Sequence, residues 1–275
     1  MRLALTPMAN HWWQSPLYLT CRGLGTTPMY HGTVCVEMEF DFIDHRLRIT
    51  VCDGRQTSVP LRPCSVARFY REVMDQLREL GLEVRIRTLP AELPDAIPFE
   101  QDERHASYDG DSARRFWLVL LQADRVLKRF RGGFLGKASP VHFFWGSFDL
   151  AVTRFSGRAA PPHPGGVPGL GDWVVREAYS HEVSSCGFWP GNGGFGRPAF
   201  YCYAYPEPPG FARATVAPAA AFYSEALREF VLPYDDMRRS PDPDAALMDF
   251  LASTYAAAAD LGGWDRAALE RPAQG

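Results

Sequence analysis

The chain has 275 residues, of which 46% are hydrophobic and 22% charged, with a formal net charge of −3 and a pI near 6.2. This composition is ordinary for a globular protein, and the acidic balance argues against nucleic acid as a partner, since nucleic-acid binders usually carry a basic face and a high pI. No apolar run approaches the roughly 20 residues that span a bilayer, and residues 1–10 lack the pattern of a signal peptide. We therefore expect a cytoplasmic protein without a membrane partner.

The six cysteines form no Cys-x-x-Cys pair and no zinc-type spacing. They are Cys21, Cys35, Cys52, Cys64, Cys186 and Cys202. An even count in a chain of this length does not define a disulfide framework, so we expect free thiols in a reducing compartment.

Residues 35–61 carry the clearest β pattern. Apolar and polar residues alternate through 36–42, the chain turns at Asp44-His45, and the alternation resumes from Leu47 to Val51. This period of two predicts a half-buried hairpin. A further short strand is expected at 57–61, after the Asp53-Gly54 turn.

Three segments have helical spacing of apolar residues with matching end signals. They are 65–80, capped by Ser65; 111–131, ending at Gly132-Gly133; and 243–260, beginning at Asp242-Pro243. Further strands are expected around Val84 and Ile86 and at 141–155, 176–186 and 199–205. The segments rich in proline or glycine, 90–101, 158–172 and 187–196, are predicted to be connectors or loops.

These elements predict an α+β fold of mainly antiparallel sheets packed with three main helices. His11-Trp12-Trp13 is similar to His142-Phe143-Phe144, and each string precedes strands and a closing helix. The similarity suggests two duplicated sheet-plus-helix halves, with chance as the alternative. The expected organisation is an N-terminal half at 1–100, a bridging helix segment at 101–138, a C-terminal half at 139–270 and a tail at 271–275. One compact domain is the other arrangement.

Several longer strings occur in order along the chain. They include Asn10-His11-Trp12-Trp13, Ser65-Val66-Ala67-Arg68-Phe69-Tyr70, His105-Ala106-Ser107-Tyr108-Asp109, the run from Ser139 to Leu150, Tyr179-Ser180-His181-Glu182 and Gly187-Phe188-Trp189-Pro190-Gly191. In these strings the chain resembles a bacterial family labelled only as domain of unknown function 5996, over nearly its whole length. The resemblance implies no particular activity, substrate or cofactor. Members of that family commonly carry a further segment before the equivalent of Leu3.

Three histidines stand in distinctive aromatic or acidic surroundings: His105, His142 and His181. Gathered around one pocket, neutral imidazoles with a carboxylate would be a ligand set for Zn²⁺ or Fe²⁺. No His-x-His or His-Glu-x-x-His spacing supports that set. The alternative is that each histidine forms hydrogen bonds within an aromatic core.

A chemistry without metal is the second hypothesis for the same region. His181 would act as general base, with Glu182 or Asp149 as the acid or orienting partner. If residues 142–149 were one continuous strand, His142 would share a face with Phe144, and Asp149 would point to the other side.

Five aromatic residues are candidates to line a ligand pocket: Phe144, Trp145, Trp189, Tyr203 and Tyr108. Tyr203 belongs to an alternating row with Tyr201 and Tyr205, for which core packing is the simpler interpretation. Two functions remain open at this point. One is an enzyme with a His-rich, aromatic-walled pocket that uses a divalent metal or none; the other is a non-catalytic module that binds a small apolar or aromatic molecule. The sequence leaves the oligomeric state open.

Overall fold

The computed structural model describes residues 1–91, 93, 95–167, 171–191 and 195–272. The chain divides into two compact units, each with its own antiparallel sheet. Unit one comprises Met1–Leu121 and Gly165–Val174, and unit two comprises Gln122–Pro164 and Val175–Gly275. The α+β prediction with antiparallel sheets is confirmed. Among the helices of the described residues, none is both long and apolar enough to cross a membrane.

Unit one is an antiparallel sheet followed by a long helix. Its elements are α1 (Arg2–Leu5), β1 (Tyr18–Leu19), β2 (Gly23–Gly25), β3 (Met29–His31), β4 (Val34–Asp41), β5 (Arg46–Val51), β6 (Gln56–Pro60) and α2 (Val66–Glu79). The strand order is β1-β2-β4-β5-β6, with β3 also paired to β4. The predicted hairpin is β4 and β5, and the predicted short strand is β6, so both are confirmed.

The core of unit one follows from the two periodicities seen in its sequence. Met38 and Ile49 point from the hairpin into the core, where they pack with Val73 and Leu77 of α2. The Ser65 side chain accepts a hydrogen bond from the backbone N–H of Arg68 and so caps α2, as predicted. Burying an apolar side chain of this size contributes about 1.5–3 kcal/mol, so the shared core holds the helix on the sheet.

The strand predicted around Val84 and Ile86 is absent, since these described residues belong to no strand. Val84 is buried in the unit-one core, and its N–H bonds locally to the Leu82 carbonyl oxygen at 3.1 Å. The alternation of apolar residues here therefore reflects alternating burial of an irregular segment rather than pairing with a strand. The predicted connector at 90–101 lies partly outside the described residues and ends in a short 3-10 turn, Phe99–Gln101.

Two helices contain a boundary between the units. They are α3 (Gly110–Gly132) and α4 (Asp172–Ala178). The long helix α3 confirms the helix expected at 111–131. The prediction of a strand over 176–186 is wrong in its first part because α4 occupies 172–178 and the next strand begins at His181.

Unit two contains the second sheet and the last long helix. Its further elements are β7 (His142–Phe144), β8 (Asp149–Ala159), β9 (His181–Trp189), β10 (Ala199–Tyr205), β11 (Phe222–Ser224), β12 (Glu229–Pro233), α5 (Tyr234–Arg238), α6 (Pro243–Leu261) and α7 (Arg266–Leu269). The strand order is β11-β12-β10-β9-β8-β7. Helix α6 begins at Pro243 with Asp242 as its cap, as predicted. The segment 187–196, predicted to be a loop, contributes Gly187 to Trp189 to β9, and part of its remainder lies outside the described residues.

One face of the second sheet forms the apolar core of unit two with α6. Phe250 and Leu251 of this helix are fully buried, and Thr254 forms a side-chain hydrogen bond with Cys202 of β10. Arg154 is also buried on this side, with its guanidinium 3.4 Å from the ring centroid of Phe130. The core therefore accommodates a cation by stacking it on aromatic rings.

The two strings that suggested a duplication adopt different structures. His11 lies in the 3-10 turn Asn10–Trp12 with a φ of 62°, whereas His142 lies in strand β7. Each unit nevertheless consists of an antiparallel sheet followed by a long helix, α2 in one and α6 in the other. Duplication stays a prediction that rests on this coarse likeness rather than on the matched strings.

Candidate functional site

The three histidines predicted as metal ligands have separate environments. His105 belongs to unit one, where its half-exposed ring places Nδ1 2.8 Å from Oδ2 of Asp102. The pKa of Asp102 is lowered, mainly by the hydrogen bond it accepts from the His105 backbone N–H. His142 is 1% exposed, and burial lowers its pKa to about 3, so its imidazole is neutral at neutral pH.

His142 of β7 and His181 of β9 lie beside opposite ends of strand β8. His142 pairs with Ala151 of β8, whereas His181 pairs with Ala159 of the same strand. At about 3.3 Å per residue, this offset of eight positions along β8 separates the two histidines by roughly 25 Å. Within the described part of the chain, no group of three or more His, Cys, Asp or Glu side chains could hold a metal ion. The Zn²⁺ or Fe²⁺ hypothesis thus gains no support from the structure.

The predicted catalytic pair His181 and Glu182 is bound to other groups. Nδ1 of His181 lies 3.1 Å from the Ser180 hydroxyl. Glu182 accepts hydrogen bonds from the Arg158 guanidinium at 2.7 and 2.9 Å, and Arg158 also donates to the carbonyl oxygen of Gly262. Arg158 thus connects β8 with Glu182 of β9 and with the end of α6.

Two of the predicted ligand-binding aromatics stand apart from the rest. Trp145 lies in the turn between β7 and β8 and is 40% exposed. Tyr108 belongs to unit one, where its hydroxyl lies 2.9 Å from Nδ1 of His45.

The other predicted residues share one face of the second sheet. Residues 145–148 form a turn, so the strand predicted to run through 142–149 is interrupted, and Phe144 pairs directly with Asp149. Directly paired residues of an antiparallel sheet point to the same face. The expectation that Asp149 points away from His142 and Phe144 is therefore wrong. By the same register, Trp189 and Tyr203 also belong to this face.

Asp149 is the centre of this face. The residue is 8% exposed, and its carboxylate accepts hydrogen bonds from the hydroxyls of Tyr201 and Ser147. Burial raises the pKa of Asp149, and the two hydroxyl donors offset part of that effect. Burial thus favours the protonated form of this carboxyl, which can give its proton to a bound molecule.

Gly187 makes room for the hydroxyl of Tyr201. It lies opposite Tyr201 in the register, and a Cβ at this position would stand 2.6 Å from the Tyr201 hydroxyl and 2.2 Å from the carbonyl oxygen of Leu150. Glycine inside a strand commonly marks such a close approach. The glycine that suggested a loop in the sequence therefore belongs to the construction of the site.

Hydroxyl groups continue from Asp149 along the face. The rings of Tyr201 and Tyr203 are stacked with centroids 6.1 Å apart, and the Tyr203 hydroxyl lies 2.8 Å from that of Tyr179. On the neighbouring strands, the hydroxyls of Thr153 and Ser185 are 2.9 Å apart. Burial raises the pKa values of Tyr201, Tyr203 and Tyr179, so the phenols remain protonated donors.

His163 and Glu229 are the residues that sequence reasoning missed. The His163 ring stacks on Tyr179 at 5.0 Å and contacts Tyr205 at 4.9 Å. Burial, with a smaller contribution from the charge of Asp149, raises the pKa of Glu229 to about 7. A polar residue opening the apolar run Phe230-Val231-Leu232 was the one sequence signal for Glu229.

We name this set the carboxyl–tyrosine face. Its members are Asp149, Glu229, Tyr179, Tyr201 and Tyr203, with the supporting hydroxyls of Ser147, Thr153 and Ser185. Buried carboxyls with raised pKa values beside hydroxyl donors are typical of sites that transfer protons, although structural networks also produce them. Phe144, Trp189, Tyr203 and Glu229 are only partly buried, so the face is accessible at its margins.

The fold and this face define the class: an α+β protein of two antiparallel-sheet units, one of which carries a buried carboxyl–tyrosine cluster. The model of the family described as "Family of unknown function (DUF5996)" matches residues 1–271, and the chain belongs to that family. Searches of curated proteins and of solved structures returned no match to this chain.

Proposed function

We propose that unit two binds a small organic molecule on the carboxyl–tyrosine face and exchanges a proton with it, as an acid–base enzyme. The observation that carries this proposal is the buried Asp149 carboxyl, with a raised pKa and two hydroxyl donors. A general acid or base works best when its pKa lies near the operating pH. Glu229, with a pKa of about 7, meets that condition and interacts with Asp149 through its charge.

Each member of the pair has a distinct role in the proposed chemistry. Asp149 in its protonated form donates to the ligand, and the Tyr201 hydroxyl orients the carboxyl. Glu229 in its protonated form returns a proton to the Asp149 carboxylate and then takes up a proton from solvent water. The Tyr203 and Tyr179 hydroxyls, 2.8 Å apart, hold a polar group of the ligand.

The surroundings favour a ligand with an aromatic or apolar body and an amine or hydroxyl group. Phe144 and Trp189 add apolar surface to the face that carries Asp149. Two carboxyls favour a proton-bearing or cationic group, and aromatic rings attract cations through their π faces. An anionic ligand would be repelled by either carboxyl in its ionised form.

A thermal-shift screen with defined probes tests the binding step. We expect arylalkylamines, such as phenethylamine and the phenol tyramine, to raise the melting temperature, and benzoate to leave it unchanged. Tyr201→Phe should reduce the shift, whereas Tyr30→Phe, at an exposed tyrosine of unit one, should preserve it. Equal shifts in both variants, or a preference for benzoate, would contradict the proposal.

A non-catalytic binding module is the second candidate, favoured by the placement of Phe144, Trp189 and Tyr203 on one face. Calorimetric titration of a probe in buffers of different ionisation enthalpy separates the two. An acid–base site exchanges protons on binding, and Asp149→Asn or Glu229→Gln should abolish that exchange. Binding without proton exchange, unchanged in both variants, would support the module and exclude the enzyme.

A further inference from the structure

Cys35 and Cys52 face each other at the open end of the β4–β5 hairpin in unit one. The register pairs Val36 with Val51, and the backbone N–H of Cys52 donates to the carbonyl oxygen of Cys35 at 3.1 Å. The two cysteines are thus the next directly opposed pair. Such a hydrogen-bonded pair has a Cα separation of about 5.5 Å, within the roughly 4.4–6.8 Å window of disulfides. Both thiols are free.

The two thiols differ in their surroundings. Cys52 is exposed, whereas Cys35 is half-buried. Arg55 has a raised pKa, mainly from its hydrogen bond to Asp53 and also from the charge of Cys52, which places a cation near that thiol. The pKa of Cys35 is raised by burial and by the nearby Cys52 and Glu37. The exposed Cys52 thiol is the more accessible to an oxidant, so it takes the attacking role, and the half-buried Cys35 takes the resolving role.

We propose that Cys35 and Cys52 are a reversible dithiol–disulfide pair that hydroperoxides oxidise. This modification site lies outside unit two and is independent of the proposed acid–base function. It requires the Cβ atoms to approach from about 4.5–5.5 Å, the usual spacing of opposed residues, to roughly 3.5–4.5 Å. The end of the hairpin, where β5 has ended and the chain turns at Asp53-Gly54, permits this small movement.

The reaction balances with hydrogen peroxide as the oxidant. The Cys52 thiolate attacks one peroxide oxygen, the O–O bond breaks, and the products are Cys52 sulfenic acid and hydroxide, which takes up the thiol proton to become water. Cys35 sulfur then attacks the Cys52 sulfur, the S–O bond breaks, and hydroxide leaves with the Cys35 proton as a second water. The two thiols lose two electrons and the peroxide gains them. A dithiol such as dithiothreitol reverses the bond by exchange.

Peptide mapping of the oxidised wild-type protein tests the linkage directly. Arg46 and Arg48 lie between the two cysteines, so trypsin separates them into peptides 23–46 and 49–55, each with one cysteine. After treatment with equimolar hydrogen peroxide we expect these peptides to be disulfide-linked, the free-thiol count to fall by two, and the chain to remain monomeric on a non-reducing gel. Oxidation of Cys52 without linkage to Cys35, or a different pair, would overturn the proposal.

Serine variants test the assigned roles. In Cys35→Ser, the sulfenic acid on Cys52 should persist and react with dimedone; in Cys52→Ser, peroxide should react much more slowly with Cys35. Cys21→Ser and Cys64→Ser are matched controls that should form the bond at the wild-type rate. The assignment would be refuted if Cys35 formed a disulfide with another cysteine as readily in Cys52→Ser. It would also be refuted if either control variant lost the bond.

Discussion

The Tyr201 hydroxyl donates to a carboxyl that is almost completely buried, so its loss leaves Asp149 with one side-chain donor. Removing one partner of a buried polar group costs about 1–3 kcal/mol. We therefore expect Tyr201→Phe to lower the free energy of unfolding in urea by that amount. The matched control is Tyr205→Phe, whose hydroxyl donates to the Pro161 carbonyl oxygen at an exposed position. If both variants lost the same free energy of unfolding, the hydrogen bond from Tyr201 to Asp149 would contribute no more than an exposed one.

Glu229 gives stability a specific pH dependence. Its folded pKa of about 7 lies above its ordinary value of 4.5, so the folded state holds the proton more tightly than the unfolded state. This contribution is complete below about pH 4.5 and is lost as the pH rises through about 7, by an amount on the order of a few kcal/mol.

Glu229→Gln should remove this dependence. The advantage of the variant over wild type, measured as free energy of unfolding between pH 5 and 8, should grow with pH. Glu225→Gln, at an exposed position of the preceding turn, should follow the wild type. Parallel profiles for wild type and Glu229→Gln would show that Glu229 does not titrate in this range.

At the scale of the element, strand β9 depends on Gly187. A methyl group there would meet both the Leu150 carbonyl oxygen and the Tyr201 hydroxyl at less than 3 Å. Because the first of these is backbone, the sheet would have to shift, and overpacking of this kind costs about 1–3 kcal/mol or more. We expect Gly187→Ala to lower the melting temperature and weaken probe binding together. Gly132→Ala, where a Cβ meets nothing within 4 Å, should leave both unchanged or raise stability slightly.

The start of helix α2 depends on its cap. The Ser65 hydroxyl accepts the Arg68 backbone N–H at 3.2 Å, satisfying one of the donors that a helix start leaves unpaired. Ser65→Ala should cost about 1 kcal/mol of unfolding free energy. Ser65→Asp keeps an acceptor and should restore the wild-type value. No loss in Ser65→Ala, or a loss of equal size in both variants, would mean that the hydrogen bond to residue 65 does not stabilise the helix start.

At the scale of the molecule, the part of the chain that the structure describes contains no group of three or more His, Cys, Asp or Glu side chains that could hold a metal ion. Dialysis against EDTA should therefore leave the melting temperature and the far-UV circular dichroism unchanged. Elemental analysis of the purified protein is the companion measurement. A stoichiometric metal whose removal lowers the melting temperature would restore the metal-dependent hypothesis.

Local signals determined much of this protein from the sequence alone. The β4–β5 hairpin, the three long helices and the caps at Ser65 and Asp242 follow from alternation, helical spacing and end residues, because each depends on neighbours within a few positions. The short strands β11 and β12 lacked that advantage. Strand β12 pairs with β10, which is distant in the chain, and β11 pairs with β12. The sequence around both strands carries no alternation long enough to detect.

The site was decided by tertiary structure. A four-residue turn reverses the chain between Phe144 and Asp149, so both side chains lie on one face of the sheet. A continuous strand through 142–149, as the sequence pattern predicted, would have placed them on opposite faces. The strand register places His142 and His181 at opposite ends of β8, although each lies next to aromatic residues in the sequence. Burial, which depends on every packed element, sets the pKa values of Asp149 and Glu229. Residue types thus identified Asp149 as a candidate, and the folded sheet determined its partners.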